Sequence, residues 1–419
     1  MRVTIIGQGY VGLPVAMRSV EVGHDVTGVE KNPDRAQRLA AGDSFVEDVP
    51  SDVLAAALAS GRYRAVAELP SGPSFDVAVI TVPTPLHDGA PDLSFIESAA
   101  AELAPSVAPG CLVILESTTY PGTTEELMVP LLEAGSGLTA GRDFRVGYSP
   151  ERIDPGNQQY NFVTTPKVVA GIDAESLAAV EGFYRTLVNE VVPVKGCKEA
   201  ELTKLIENTF RHVNVALVNE LAVFAYELGI DVWDAIDAAS TKPFGYMRFT
   251  PGPGVGGHCL PIDPSYLSWR VKQSLNRQFR FVELANDVNE HMPQYVVNRV
   301  NLALNHDAKS IRGSRILILG LAYKKGSSDA RESPSVRVAE LLMTLGADVH
   351  TVDPFVEGLP QQLAGVQRVD LSIDEVADAD IVVVLTDHDE FDYPMVAANA
   401  SRVLDTRRRM SNHANVEML

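Results

Sequence analysis

The sequence predicts an α/β protein: two doubly wound parallel-sheet domains joined by a central helical domain with one long helix. Three observations carry this expectation. Short β-branched runs alternate with helical stretches over the first part of the chain, and that alternation implies a parallel sheet. The same rhythm returns from about residue 310. Between the two, residues 200–228 carry apolar side chains at helical spacing and contain neither proline nor glycine.

In chain order, residues 3–6, 25–30, 76–82, 111–116 and 144–148 read as strands apolar enough to be covered on both faces. The central stripe consists of Leu202, Leu205, Ile206, Phe210, Val213, Leu217, Leu221 and Phe224, widened by Val215, Val218 and Val223. A helix apolar nearly all round is buried, here by a partner subunit, so at least a homodimer is expected. Gly229 should stop this helix and Asp231 should cap the next. Strands follow at 315–319, 348–352, 381–385 and 402–404, with a helix over 334–345. The expected domains are therefore 1–198, 199–300 and 301–419.

Composition narrows the function. A chain of 419 residues, 46% hydrophobic and 21% charged, is globular and too long for one core. No apolar run reaches the ~20 residues a membrane span needs. The apolar start reads as a first strand and not a signal peptide, which points to a cytoplasmic protein. A net charge of −20 with no Lys/Arg block excludes nucleic acid as a partner. Three scattered cysteines, Cys111, Cys197 and Cys259, argue against a disulfide framework and a structural zinc site, so no metal is expected.

The first strand runs into Gly7-Gln8-Gly9-Tyr10-Val11-Gly12, a G-x-G-x-x-G turn that opens a helix. Gly7 permits the tight turn, Gly9 admits the pyrophosphate, and Gly12 lets helix and strand pack closely. Glu30, at the end of the second strand, suits the adenosine ribose and repels a 2′-phosphate, so NAD is the expected cofactor. Lys31 beside it is a cation that could tolerate that phosphate. The matching turn in the second α/β unit is Gly320-Leu321-Ala322, followed by Tyr323-Lys324-Lys325, with Asp353 ending the next strand. Cations replace the glycine spacing there, pointing to a different phosphorylated ligand.

The run from Pro251 to Pro264 surrounds one thiol with glycines and prolines: Gly252, Gly254, Gly256 and Gly257 lead to His258-Cys259, and Asp263 follows four residues on. Such a loop allows a substrate close to the backbone, marks Cys259 as a nucleophile, and offers Asp263 as a base.

Several motifs now agree in order: the glycine turn, Val82-Pro83-Thr84-Pro85, Glu116-Ser117-Thr118, Ser149-Pro150-Glu151-Arg152, Lys204 with Asn208, the Cys259 loop, and Asp329-Ala330-Arg331-Glu332-Ser333. With these the chain resembles, along its whole length, the UDP-glucose/GDP-mannose dehydrogenase family. The resemblance implies an NAD-binding Rossmann domain, a helical dimerisation domain and a Rossmann-like domain that grips the nucleotide sugar. It also implies oxidation of a C6 alcohol to a carboxylate with two NAD⁺ per turnover. By the same resemblance Cys259 forms a thiohemiacetal and then a thioester, Lys204 and Asn208 stabilise the oxyanions, and Asp263 is the base. Glu151 assists thioester hydrolysis, and Thr118 orients groups near nicotinamide and water. Thr84 and Arg331 meet the cofactor. Arg152, Gly256, Gly257, Tyr323 and Lys324 meet the substrate, with Arg248 a further basic candidate.

His258 before Cys259 and Ile262 before Asp263 stand where glucose-specific relatives carry Ser and Lys, and Ser149-Pro150-Glu151-Arg152 replaces Asn-Pro-Glu-Phe. Both departures resemble the branch acting on UDP-N-acetylhexosamines, first UDP-N-acetylglucosamine and then UDP-N-acetylmannosamine. UDP-glucose or dTDP-glucose is the alternative substrate. A two-electron 3-hydroxyacid-type dehydrogenase would lack the cysteine loop and the second nucleotide domain. A non-catalytic NAD-binding scaffold would lack the nucleophile or the Lys/Asn pair.

Overall fold

The computed structural model describes residues 1–419 apart from 71, 88, 154–159, 258–261 and 411–412. The chain divides into two compact units, Met1–Glu207 with Ser265–Arg277, and Asn208–Pro264 with Gln278–Leu419.

The first unit is built on an eight-stranded sheet. Its strands are β1 (Arg2–Ile6), β2 (Asp25–Val29), β3 (Tyr63–Val66), β4 (Val77–Ile80), β7 (Leu112–Leu115), β8 (Arg145–Tyr148), β9 (Lys167–Gly171) and β10 (Val191–Pro193); β5 (Leu86–His87) and β6 (Ala90–Pro91) form a separate hairpin. The order is β10-β9-β8-β7-β4-β1-β2-β3, so the winding reverses between β1 and β4. Ligands of such sheets bind at that reversal, beyond the carboxyl ends of the strands. Apolar clusters cover both faces, with Ile5, Val79 and Ile114 on one side and Ile80, Val113 and Leu115 on the other. That two-sided burial is why these strands read as continuous apolar runs.

All five strands expected in this unit form, with ends shifted by one or two residues. The edge strands β3 and β10 were not legible: they are short and only partly buried, so neither alternation nor an unbroken apolar run marks them. The sheet is also not parallel throughout. β8 pairs with β9 antiparallel, so β9 and β10 form a reversed edge.

The second unit carries a six-stranded, wholly parallel sheet of order β13-β12-β11-β14-β15-β16. These strands are β11 (Arg315–Leu319), β12 (Asp348–Val352), β13 (Gln367–Arg368), β14 (Ile381–Val384), β15 (Val403–Asp405) and β16 (Val416–Met418). The helix Pro334–Thr344 is capped by Ser333, whose side chain accepts the Ser335 N–H.

The long helix spans Cys197–Glu227. Gly229 ends it with φ of +68° while the Ile230 N–H reaches back to the Ala225 carbonyl at 2.8 Å, and the Asp231 carboxylate caps the next helix through the Trp233 and Asp234 N–H groups. A second long helix, Arg280–His306, was not foreseen, because its Asn- and Asp-rich start and internal Pro293 disguise it.

Within the single chain only part of the central helix's apolar surface is covered, and the remainder is the surface expected to meet a partner subunit. Val218, Ala222 and Ala225 pack on Val232, Trp233 and Ile236, but Phe210, Leu217, Leu221, Phe224 and Leu228 are between 46 and 72% exposed. The placement of Asp263 within the loop needs correcting, because it begins the helix Asp263–Leu275. Among the described residues no helix is long and apolar enough to cross a membrane.

Candidate active site

At the β1 turn the sterics match a dinucleotide site. A Cβ on Gly12 would lie 1.9 Å from the Gly7 carbonyl oxygen, so only glycine permits this strand–helix approach, whereas a Cβ on Gly9 would meet no protein atom within 4 Å. Space is left where the motif needs it. The Thr81 hydroxyl donates to the Ile6 and Gly7 carbonyls and so locks the turn. Tyr10 is exposed at the turn, and Val11 immediately precedes the helix Gly12–Glu21. Glu30 is buried, its two oxygens accepting the Gln8 N–H at 3.2 Å and the Asn32 N–H at 3.1 Å. Lys31 is engaged with Glu102 at 2.6 Å. These residues fit the adenosine half of NAD.

On the same unit the long helix presents Lys204, buried, whose ammonium donates to the Glu151 carbonyl at 2.7 Å and its carboxylate at 3.1 Å. Arg152 pairs with Glu207, one turn further along the helix, at 2.7 Å and donates to the Pro166 carbonyl. The Thr84 hydroxyl donates to the Thr118 carbonyl at 2.8 Å. Thus Glu151 meets Lys204, and Thr84 meets Thr118, although each pair is far apart in sequence.

Two supports of this arrangement were missed. Glu116, at the end of β7, forms a buried ion pair with Lys167 and accepts the Tyr184 hydroxyl at 2.7 Å. Lys167 also donates to the Pro150 carbonyl at 3.1 Å, so the pair anchors the chain entering Glu151. Burial, then the Glu116 charge, pushes the Tyr184 hydroxyl well above its usual pKa, so it remains a donor. The second support is Glu201, fully buried, which takes the Gly122 N–H at 2.6 Å, the Thr124 N–H at 2.9 Å and the Thr124 hydroxyl at 2.7 Å. Its burial raises the carboxyl pKa to about 7. Gly122 and Thr124 lie 79 and 77 residues from Glu201, so no local sequence pattern signalled this role.

In the second unit, Asn208 follows Lys204 by one helical turn and donates to the Asp263 carboxylate, while Arg211 donates to the Asn208 carbonyl oxygen. Asn208 and Asp263 are both buried. Cys259, with His258, lies outside the described residues. The glycines before it pack on the Tyr323 ring: Gly257, at φ of +84°, would place a Cβ 2.7 Å from that ring, and Gly256 would place one 3.1 Å from the Tyr323 Cβ. Lys324 Nζ lies 5.8 Å from the centre of the same ring. Arg248 pairs with Asp237 at 2.7 Å, and Arg331 pairs with Asp329 at 2.8 Å. Arg407, which sequence reasoning passed over, lies so close to Gly252 that a Cβ added there would sit 2.7 Å from its guanidinium; its place just past β15 was the available signal.

Three family models match consecutive stretches of the chain: the NAD binding domain of the UDP-glucose/GDP-mannose dehydrogenase family over residues 1–188, its central domain over 198–291 and its UDP binding domain over 317–412. UDP-N-acetyl-D-mannosamine dehydrogenase of Pyrococcus horikoshii is 36% identical over 392 residues, covering 93% of this chain and 90% of that protein. NDP-N-acetyl-D-galactosaminuronic acid dehydrogenase of Ralstonia solanacearum is 34% identical over 419 residues, covering 98% and 93%. The solved structure of the Pyrococcus horikoshii UDP-D-ManNAc dehydrogenase superposes with a TM-score of 0.89 at 32% identity, covering 100% of this chain and 98% of that one. The glycine turn, the buried Lys204 and these matches agree: the chain belongs to the UDP-glucose/GDP-mannose dehydrogenase family and is an NAD-dependent nucleotide-sugar dehydrogenase.

Proposed function

We propose that the enzyme oxidises the C6 alcohol of a UDP-N-acetylhexosamine to the uronic acid in a four-electron reaction, with UDP-N-acetyl-D-mannosamine as the preferred sugar. The observation that carries this reading is the pair of fixed contacts on one helix: Lys204 held by Glu151 and, one turn on, Asn208 held by Asp263. Relatives named for N-acetylated sugars support the N-acetylhexosamine class, and their names favour mannosamine over the glucosamine that the motifs around Cys259 ranked first.

Two NAD⁺ in succession, each held when bound by Gly7, Gly9, Tyr10, Val11, Gly12, Glu30 and Thr84, would each supply the acceptor for one hydride. Asp263 takes the alcohol proton as the aldehyde forms. The Cys259 thiolate adds to that aldehyde, and the resulting thiohemiacetal gives up hydride and a proton to become a thioester. Water cleaves the thioester, releasing the carboxylate and returning the thiol, with Glu151 assisting and Thr118 orienting the water. The Lys204 ammonium and the Asn208 amide stabilise the oxyanion at each stage. Arg152, Arg248, Gly256, Gly257, Tyr323 and Lys324 hold the nucleotide sugar, and Arg331 turns to the cofactor.

We infer three domains, 1–198, 199–300 and 301–419, and a cytoplasmic homodimer joined along the exposed stripe of the long helix, acting in polysaccharide biosynthesis. The test is NADH release from purified protein at limiting UDP-N-acetylmannosamine, UDP-N-acetylglucosamine, UDP-glucose or dTDP-glucose. Two NADH per molecule of the first are expected. One NADH per sugar would remove the thioester route, and preference for a glucose donor would remove the substrate assignment.

A further inference from the structure

The second sheet carries a turn in the same place as the dinucleotide turn of the first, but its amides are already used. The Leu321 and Ala322 N–H groups donate to Asp353 Oδ2 at 2.7 and 3.0 Å, and the Tyr323 N–H donates to the Asp329 carbonyl at 3.0 Å. Asp353 Oδ1 takes two further amides, those of Phe355 and Val356, each at 2.9 Å. Burial raises the Asp353 pKa, but the bonds from His388 and the backbone outweigh it and hold the carboxyl well below the usual range. The carboxylate thus acts as a built-in anion. A diphosphate at this unit has to be met by side chains and not by these amides.

His388 completes the device. It is fully buried; its Nδ1 accepts the Gly326 N–H at 3.1 Å, and its Nε2 lies 3.2 Å from Asp353 Oδ2. Acceptance at Nδ1 leaves the ring proton on Nε2, where it is donated to Asp353. Phe355 and Phe391 enclose the ring, with centroids at 5.0 and 5.5 Å, and the Tyr393 hydroxyl donates to the His388 carbonyl. One imidazole therefore ties both ends of the segment that carries Tyr323 and Lys324: Asp353 grips its start and Gly326 lies at its end.

We propose that His388, acting through Asp353, is a positioning residue that sets the turn at 320–326 and so places Tyr323 and Lys324 for the diphosphate of the sugar nucleotide. This rests on the reading of Tyr323 and Lys324 as substrate residues. A glutamine amide also carries an acceptor and a donor, but on a flexible stem, whereas the imidazole holds both in one rigid ring packed between Phe355 and Phe391.

The test is calorimetric binding of UDP and, separately, of NAD⁺ to the full-length wild type and to His388→Ala, His388→Gln and Lys324→Ala. UDP binding should weaken about tenfold or more in both His388 variants while NAD⁺ affinity holds. The KM for the sugar nucleotide should rise with little change in kcat, a split that general loss of structure would not produce. Wild-type UDP affinity in His388→Gln overturns the proposal. If His388→Ala fails to fold, His388→Gln and nitrogen-15 spectra of the wild type decide, because a proton on Nδ1 excludes the Gly326 bond. Unchanged UDP affinity in Lys324→Ala removes the reading of Lys324 and the proposal with it. Weakened binding in Lys324→Ala with unchanged binding in His388→Gln removes the proposal alone.

Discussion

Lys204 and Glu151, and Asn208 and Asp263, hold one another across long stretches of sequence, and that sets what their removal should do. Lys204 donates to both the carbonyl and the carboxylate of Glu151, so Lys204→Met should lower kcat by about 10²–10³ while leaving the sugar KM nearly unchanged. Steady-state kinetics at saturating NAD⁺ checks this. Cys259→Ala should abolish acid production, measured as uronate by mass spectrometry. Glu201 offers a stability test. Its folded pKa of about 7 lies above the usual glutamate value of 4.5, so the native state binds the extra proton in that window. Its contribution is complete below pH ~4.5 and lost as pH rises through ~7, a change on the order of 3 kcal/mol. Melting temperature followed across that window should therefore fall more steeply in the wild type than in Glu201→Gln.

Among the elements, the central helix was the most legible and its surroundings the least. Its apolar period, Gly229 stop and Asp231 cap were all readable, because each is a local property of the backbone. Which side faces the rest of the unit was not, since Val218 and Leu221 look alike in sequence although one is buried and the other exposed. The exposed residues Phe210, Leu217, Leu221, Phe224 and Leu228 are spaced by seven, four, three and four, the spacing of a coiled-coil seam, which supports the proposed homodimer. On the homodimer proposed above, the wild type should sediment as a dimer and the double variant Leu221→Glu, Phe224→Glu as a monomer at the same concentration. At the other end of the chain, Gly12→Ala should cost on the order of 3 kcal/mol and NAD⁺ binding with it, because the new methyl meets the Gly7 carbonyl at 1.9 Å. Thermal denaturation and NAD⁺ titration read that directly.

For the whole molecule, the two sheets share a plan but use the turn after their first strand differently. The first leaves open space at Gly9 for a dinucleotide; the second fills its amides with Asp353. One chain can therefore hold two nucleotide ligands without confusing them. Titrating the full-length enzyme with NAD⁺ alone should accordingly show one site per chain, and the Gly12→Ala variant should show none.

The sequence by itself determined what depends on neighbours along the chain: strand and helix periods, the glycine turn, the helix stop and cap, and the i, i+4 relation of Lys204 to Asn208. It also showed the family, because spaced motifs survive as strings. Tertiary structure alone decided the pairings that bring distant residues together: Lys204 with Glu151, Asn208 with Asp263, Glu116 with Lys167, and Asp353 with His388. The reversed edge at β9 and the exposed half of the long helix belong to the same class. Local pattern is set by backbone geometry within a few residues, whereas a buried charge finds its partner only when the sheet has closed around both.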